Sequence, residues 1–278
     1  EGIAVAPDGR TYVSSVVSGG IYVVNGNSNA VLIDGKDHKM GSFFGIAFDK
    51  LHDTLFATYA RVEQTPGIAA GAGTTGVAEF DATTGQLKNN WVLDGTTDKH
   101  QVADVLITQD HRIFVSDATG RAVYKVEGKA LDKAFDLRAS MSPQGLAELN
   151  GRLYLADYGR GIWLLETATG TATLLGRTPE TNLVGFDGLS AHNGKLMVIQ
   201  NGSNPHKVVA ITPSDDGKYV AELKVVAQSL AGFDEPTLGT STATGYYFVA
   251  GSQWPKFGPE GAVKEGATLA PTSILKLP

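Results

Sequence analysis

Three carboxylates and one amide recur at a single position of a repeated pattern. Glu1 opens "EGIAVAPDGRTYVSS", Gln144 opens "QGLAELNGRLYLADYGRG", Asp187 opens "DGLSAHNGKLMVIQNGS" and Glu235 opens "EPTLGTSTATGYYFVAGSQW". Phe44 in "FGIAFDKLHDTLFATYA" and Ala103 in "ADVLITQDHRIFVSDATG" take the same place, and Ala103 is followed by Asp104. Carboxylates gathered at one locus repel in low dielectric, and a cation, raised pKa values or water relieves them. An oxygen-only set suits calcium, which takes about six to eight oxygen ligands from carboxylates, amides and water. The alternative is a wet, polar channel whose charges are simply solvated.

The elements that position these side chains follow from the repeat itself. The six copies begin near residues 1, 44, 103, 144, 187 and 235. Each reads as strand, tight turn, strand, with Asp-Gly, Asn-Gly, Thr-Gly or Asp-His at the turn. A further strand or two follows, as in "GIYVVNG", "AVYKVEG" and "IWLLETATGTATLLG". Four strands in each repeat of roughly 40 to 45 residues is the pattern of a propeller blade. The chain is therefore expected to be all-β, one six-bladed β-propeller of four-stranded antiparallel blades over residues 1–278. The first residue of each copy then points toward the central channel near one mouth. Glycine in the next column (Gly2, Gly45, Gly145, Gly188) lets inner strands approach closely.

Two long insertions, "YARVEQTPGIAAGAGTTG" in the second copy and "GSQWPKFGPEGAVKEGATLAPT" in the sixth, fall between second and third strands. Loops of that length are often functional. "GAGTTG" at 71–76 has no P-loop lysine and reads as a flexible tip. The sixth copy ends after its third strand, so either a three-stranded last blade or closure by a segment ahead of Glu1 is expected. The chain starts mid-motif at Glu1, which fits removal of a secretory signal, and a periplasmic or secreted location is expected.

Composition bounds the partners. The 278 residues include 42% apolar residues and 34 glycines, carry a net charge of −6 and contain no cysteine. Disulfides, thiolate metal sites and cysteine nucleophiles are excluded. An acidic chain is a poor candidate for nucleic acid, and no apolar run is long enough for a membrane span. A monomer that binds a small molecule is expected.

Other candidates lie on the second-to-third-strand loops facing the same mouth: Asp117, Asp157 and Tyr158, Gln200, Asn201 and His206, and Trp254. Tyr158 and Trp254 can wall an apolar ligand, with Gln200, Asn201 and His206 as polar contacts. His100, just ahead of the third inner strand, can serve as general base. His38, His52, His111 and His192 fall away from that mouth.

At "EGIAVAPDG", "QGLAELNG" and "FDGLSAHNG" the sequence resembles the senescence marker protein/gluconolactonase family. That family belongs to a wider group with paraoxonase-like, diisopropylfluorophosphatase-like and strictosidine synthase-like propellers. The resemblance implies a divalent cation, often calcium, held at the channel by Glu1 and Asp187, with Gln144 where the family has Asn. Ala103 stands where an Asn-Asp pair is common, so only Asp104 of that pair remains. Glu235 matches the position of a catalytic Glu in strictosidine synthase-like proteins. The implied activity is metal-dependent hydrolysis of a lactone or ester, including a sugar lactone, with Asp104, Glu235 or His100 directing water. A non-catalytic propeller binding a small molecule, glycan or protein on its loop-rich face is the competing expectation.

Overall fold

The computed structural model describes residues 1–67, 74–93, 99–179 and 181–278. The glycine-rich tip at 71–76 begins outside these residues. Six antiparallel sheets follow one another in chain order. Blade one holds β1 (Ile3–Val5), β2 (Thr11–Ser15), β3 (Gly20–Asn25) and β4 (Ser28–Asp34). Blade two holds β5 (Ser42–Asp49), β6 (Thr54–Ala60), β7 (Gly76–Asp81) and β8 (Leu87–Val92). Blade three holds β9 (Val102–Ile107), β10 (Ile113–Asp117), β11 (Ala122–Glu127) and β12 (Ala130–Asp136). Blade four holds β13 (Pro143–Leu149), β14 (Arg152–Asp157), β15 (Gly161–Glu166) and β16 (Thr171–Leu174). Blade five holds β17 (Phe186–His192), β18 (Lys195–Gln200), β19 (Lys207–Pro213) and β20 (Val220–Gln228). Blade six holds β21 (Gly239–Thr242), β22 (Gly245–Val249) and β23 (Ile274–Leu277) and stops at three strands. The inner strands β1, β5, β9, β13, β17 and β21 touch in sequence and close a ring. No helix among the described residues is long and apolar enough to cross a membrane.

Burial runs from the axis outward. The second strand of blade four, Arg152–Asp157, is buried on both faces after its first residue, because blades sandwich it. The fourth strand, Thr171–Leu174, is mostly exposed. Apolar clusters fill the seams between blades one and two, two and three, three and four, four and five, and five and six. Aromatic anchors such as Phe43, Phe80, Phe114, Phe186 and Phe248 lie within them, fully buried.

A bulge in the inner strand explains the polar–glycine pairs of the sequence. Between the pairings Phe43↔Tyr59 and Ile46↔Ala57, one extra residue is inserted at Phe44–Gly45. The same shift falls at Ala103–Asp104, Gln144–Gly145 and Asp187–Gly188. A bulge breaks the two-residue alternation and re-aims a side chain, here at the start of the inner strand. Glycine follows because the next inner strand lies directly against it. A Cβ on Gly188 would strike the Thr237 carbonyl, and one on Gly145 the Leu189 amide.

A second device ties down the segment that leads into the inner strands of blades three, four and five. Asp157, at the end of β14, is fully buried and accepts from the Met141, Ser142 and Gly159 amides at 3.0, 3.1 and 3.0 Å. The Trp163 indole also donates to it, at 3.0 Å. Asp117 does the same for the Gln101 and Gly120 amides in blade three (2.9 and 2.8 Å). In blade five Gln200 replaces the carboxylate and donates to the Val184 carbonyl at 2.8 Å.

Candidate functional site

The bulges and the second-to-third-strand loops meet at one mouth of the channel, around a cavity of about 270 Å³. Glu1, Asp104, Gln144, Asp187 and Glu235 line it, with Asn201, Tyr158 and Trp254. Phe44, Gln101, Ala103, Thr237 and Leu238 complete the wall. Eight of the residues singled out from sequence thus come together.

Three do not. His100 lies outside the wall, its Nδ1 donating to Asp117 at 2.6 Å and its ring edge-on to Tyr124. Gln200 is buried, its amide spent on the Val184 carbonyl. His206 donates from Nδ1 to the Asn201 carbonyl at 2.7 Å and stands behind the wall.

Each acidic group has a distinct setting. Asp187 accepts from Asn201 Nδ2 at 2.6 Å. Glu1 accepts at Oε2 from the Trp254 indole at 2.7 Å, a bond that the two ends of the sequence do not suggest. Asp104 is wedged between Gly45 and blade four, where it accepts from the Leu146 amide at 3.0 Å. Glu235 holds a left-handed backbone, φ 60°, unusual for a residue with a side chain. Its Oε2 lies 3.5 Å from the Ser252 hydroxyl.

Burial dominates the electrostatics. Desolvation pushes Asp104 up to about 7, with the charge of Glu1 adding to it and the Leu146 and Val105 amides opposing. Desolvation and then Glu1 push Asp187 well above the usual carboxylate range, and the Asn201 hydrogen bond opposes them. Desolvation and Glu1 raise Glu235 as well. Desolvation, with the charges of Asp187 and Glu235, raises the Tyr158 hydroxyl.

These shifts carry a sign for stability. An acid whose folded pKa exceeds its unfolded value binds more protons in the folded state, so stability falls as pH rises between the two values. For Asp104 that window runs from the ordinary carboxylate range to about 7. In chelator, the melting temperature is expected to be higher at pH 5 than at pH 8. The Asp104 contribution is on the order of 4 kcal/mol at most. Calorimetry of Asp104→Asn checks it: the variant loses much of the slope, and an unchanged slope rules Asp104 out as its source.

Asn201 contributes one further feature. Its Nδ2 is engaged by Asp187 and by the Pro236 carbonyl (2.9 Å), while its Oδ1 is buried with no hydrogen-bond partner among the described residues. A buried acceptor left unsatisfied is costly and marks a place where something else belongs. Gln144 turns its Nε2 to the Ser142 hydroxyl (2.8 Å), so the amide oxygen is what it has left to offer. Among the described residues no three Asp, Glu or His side chains are drawn together tightly enough to hold a metal by themselves. A mixed set of carboxylates and amide oxygens is what the mouth offers.

No protein-family model and no curated protein matches the chain. Solved structures do. The PQQ-bound aldose sugar dehydrogenase of Streptomyces coelicolor aligns over 99% of this chain and 92% of its own, with a TM-score of 0.64 and 12% identity. Virginiamycin B lyase from Staphylococcus aureus aligns over 90% of this chain and 76% of its own, with a TM-score of 0.63 and 13% identity. A gluconolactonase candidate from a structural genomics programme aligns over 91% of this chain and 85% of its own, with a TM-score of 0.62 and 16% identity. At these identities the likeness is one of fold.

Proposed function

We propose that the channel mouth holds a divalent cation and that the protein hydrolyses a lactone or ester there. The observation that carries this reading is the buried, unpartnered Asn201 Oδ1 beside Asp187. It supplies a neutral oxygen where the carboxylates Glu1 and Asp187 already repel one another. Glu1, Asp187, Asn201 and Gln144 are the residues that would hold the ion, and an oxygen-only set favours calcium. Bound there, it would polarise a carbonyl and steady the charge that develops on its oxygen.

The chain's own residues do the rest. Trp254 orients Glu1, and Asn201 orients Asp187. Glu235 has the loosest hydrogen bonding of the wall carboxylates and a raised pKa, which suits a general base taking a proton from water. Asp104 is held by the Leu146 amide and acts on charge balance.

Calorimetric calcium titration of chelator-stripped protein, paired with a panel of lactones and esters, tests the reading. One equivalent of calcium and chelator-sensitive turnover are expected. Glu235→Gln should lower kcat by about 10²-fold while calcium still binds. Turnover that survives chelator would remove the cation from the reading, and calcium binding without turnover of any panel member would remove the hydrolase.

A second reading, non-catalytic ligand binding at this mouth, draws on its exposed apolar rim. Tyr158, Met141 and Val184 are 40%, 57% and 39% exposed. It predicts saturable binding with no product.

A further inference from the structure

The cavity at the mouth and the surface beside it differ in chemistry. Among the described residues no Lys, Arg or His side chain lines the cavity, whereas the carboxylates Glu1, Asp104, Asp187 and Glu235 do. Most of its side-chain donors are already spent. Asn201 Nδ2 serves Asp187 and the Pro236 carbonyl, the Trp254 indole serves the Glu1 carboxylate, and the Thr237 hydroxyl serves the Glu1 carbonyl at 2.7 Å. Gln144 gives one amide proton to Ser142. An anionic ligand needs a cationic side chain or free donors to hold it, and this wall offers acceptors instead. The two charges of a divalent cation would offset Glu1 and Asp187, and Glu235 would remain as negative charge in the wall.

Beside the cavity, the lip is apolar along blades four and five. Tyr158, Met141 and Val184 are exposed there, and Tyr158 is shared with the cavity wall. The three are neighbours. Val184 precedes Gly185, whose amide donates to the Tyr158 carbonyl at 2.6 Å. Met141 lies against Gly159, where a Cβ would strike its sulfur. The Tyr158 hydroxyl lies against Gly202 of the next blade, where a Cβ would crowd it in the same way. Tyr158 thus reaches across the seam between the two blades. A lone exposed apolar side chain is ordinary, but three together at the lip of a cavity make a shelf for an apolar group.

We infer that the substrate is an uncharged lactone or ester with an apolar substituent that lies on the shelf of Met141, Tyr158 and Val184 while its carbonyl enters the mouth; this choice of substrate rests on the hydrolase reading above. Burial of the substituent supplies affinity. A polyhydroxylated lactone leaves the shelf uncovered, and an anionic one meets repulsion on entry. Hydrolysis adds water across the acyl C–O bond and yields a hydroxyl group, a carboxylate and a proton. The new carboxylate stands where the wall disfavours negative charge, which speeds its release.

The test separates binding from turnover. Lactams resist hydrolysis, so δ-valerolactam and its hexyl, polyhydroxylated and carboxylate-bearing derivatives are titrated calorimetrically into the whole chain in calcium buffer. The corresponding lactones are assayed for turnover. The hexyl lactam is expected to bind about tenfold or more tighter than the parent, and the carboxylate-bearing lactam about tenfold or more weaker. Tyr158→Ala and Met141→Ser, both at exposed side chains, should erase the gain from the hexyl group, with melting temperature as the check that each variant folds. Equal binding of parent and hexyl lactams overturns the choice of substrate. So does tighter binding of the polyhydroxylated or carboxylate-bearing form, a hexyl gain that survives both substitutions, or no binding of any lactam. The expected ranking without turnover of any lactone would remove the hydrolase and keep the shelf as a ligand site. Turnover without the ranking would keep the hydrolase and remove the shelf.

Discussion

Asp187→Asn is expected to remove turnover, by about 10³-fold or more, and calcium binding with it, while leaving the chelated protein as stable as before or more stable at pH 8. The two halves of this result come from one cause. Asp187 is buried beside Glu1, and its charge is disfavoured by desolvation and by that neighbour. Removing the charge relieves the unliganded fold. It also weakens the proposed cation site, because an amide oxygen can coordinate but brings none of the negative charge that offsets a divalent ion. Sites that trade stability for function show this opposition of signs. Glu1→Gln should behave alike, since the Trp254 indole can still donate to the amide oxygen. Melting temperature in chelator, calcium titration and initial rates check it. A variant that loses stability and activity together would make Asp187 a structural carboxylate.

Asp157→Ala is expected to cost about 4 kcal/mol or more, among the largest single losses available in this chain. Three backbone amides and the Trp163 indole converge on that buried carboxylate. Truncation strands all four around a carboxylate that is itself fully buried, and each buried unsatisfied donor costs about 1–3 kcal/mol. Asp157→Asn keeps one acceptor and should lose roughly half as much. Urea unfolding measures both. A loss below about 1 kcal/mol for the alanine variant would mean that the loop at 141–142 re-satisfies itself. The effect reaches the mouth, because Ser142 precedes Gln144 by two residues.

Much of the architecture was legible because blades repeat. Hairpin turns such as Asn150–Gly151 and Asn193–Gly194 mark the strand pairs, and the polar residue ahead of a glycine marks the inner strand. The cause of that pairing was not legible. Alternation alone would set Asp187 by its neighbours in an unbroken strand, and a bulge, which adds a residue without changing composition, is what re-aims it. Asn201 read as a polar ligand contact, yet its amide orients Asp187 and its oxygen is left over. Asp117 and Asp157 read as mouth residues because they follow a strand, whereas their partners are backbone amides that no side-chain pattern records. His100 lies just ahead of the third inner strand, as its position in the sequence requires, but its ring turns toward Asp117 and away from the mouth. The bond between Glu1 and Trp254 joins the first residue to the last insertion, and only the closed ring brings them together.

That insertion reaches further. Its short turn at Pro259–Gly261 passes against Val17 of blade one and bonds to blade two, through the Glu260 amide and the Glu63 carbonyl at 2.7 Å. Elsewhere the ring is sealed by apolar packing, but at this one joint it is held by polar bonds, Thr237 Oγ1 to the Glu1 carbonyl and the Trp254 indole to the Glu1 carboxylate, and by a clasp laid over the outside. The cation proposed for Glu1 and Asp187 would join blades one and five across the mouth and act as a rivet as well as a Lewis acid. Occupancy of the mouth and the mechanical integrity of the ring would then be one quantity, as in a split washer fastened by what it holds.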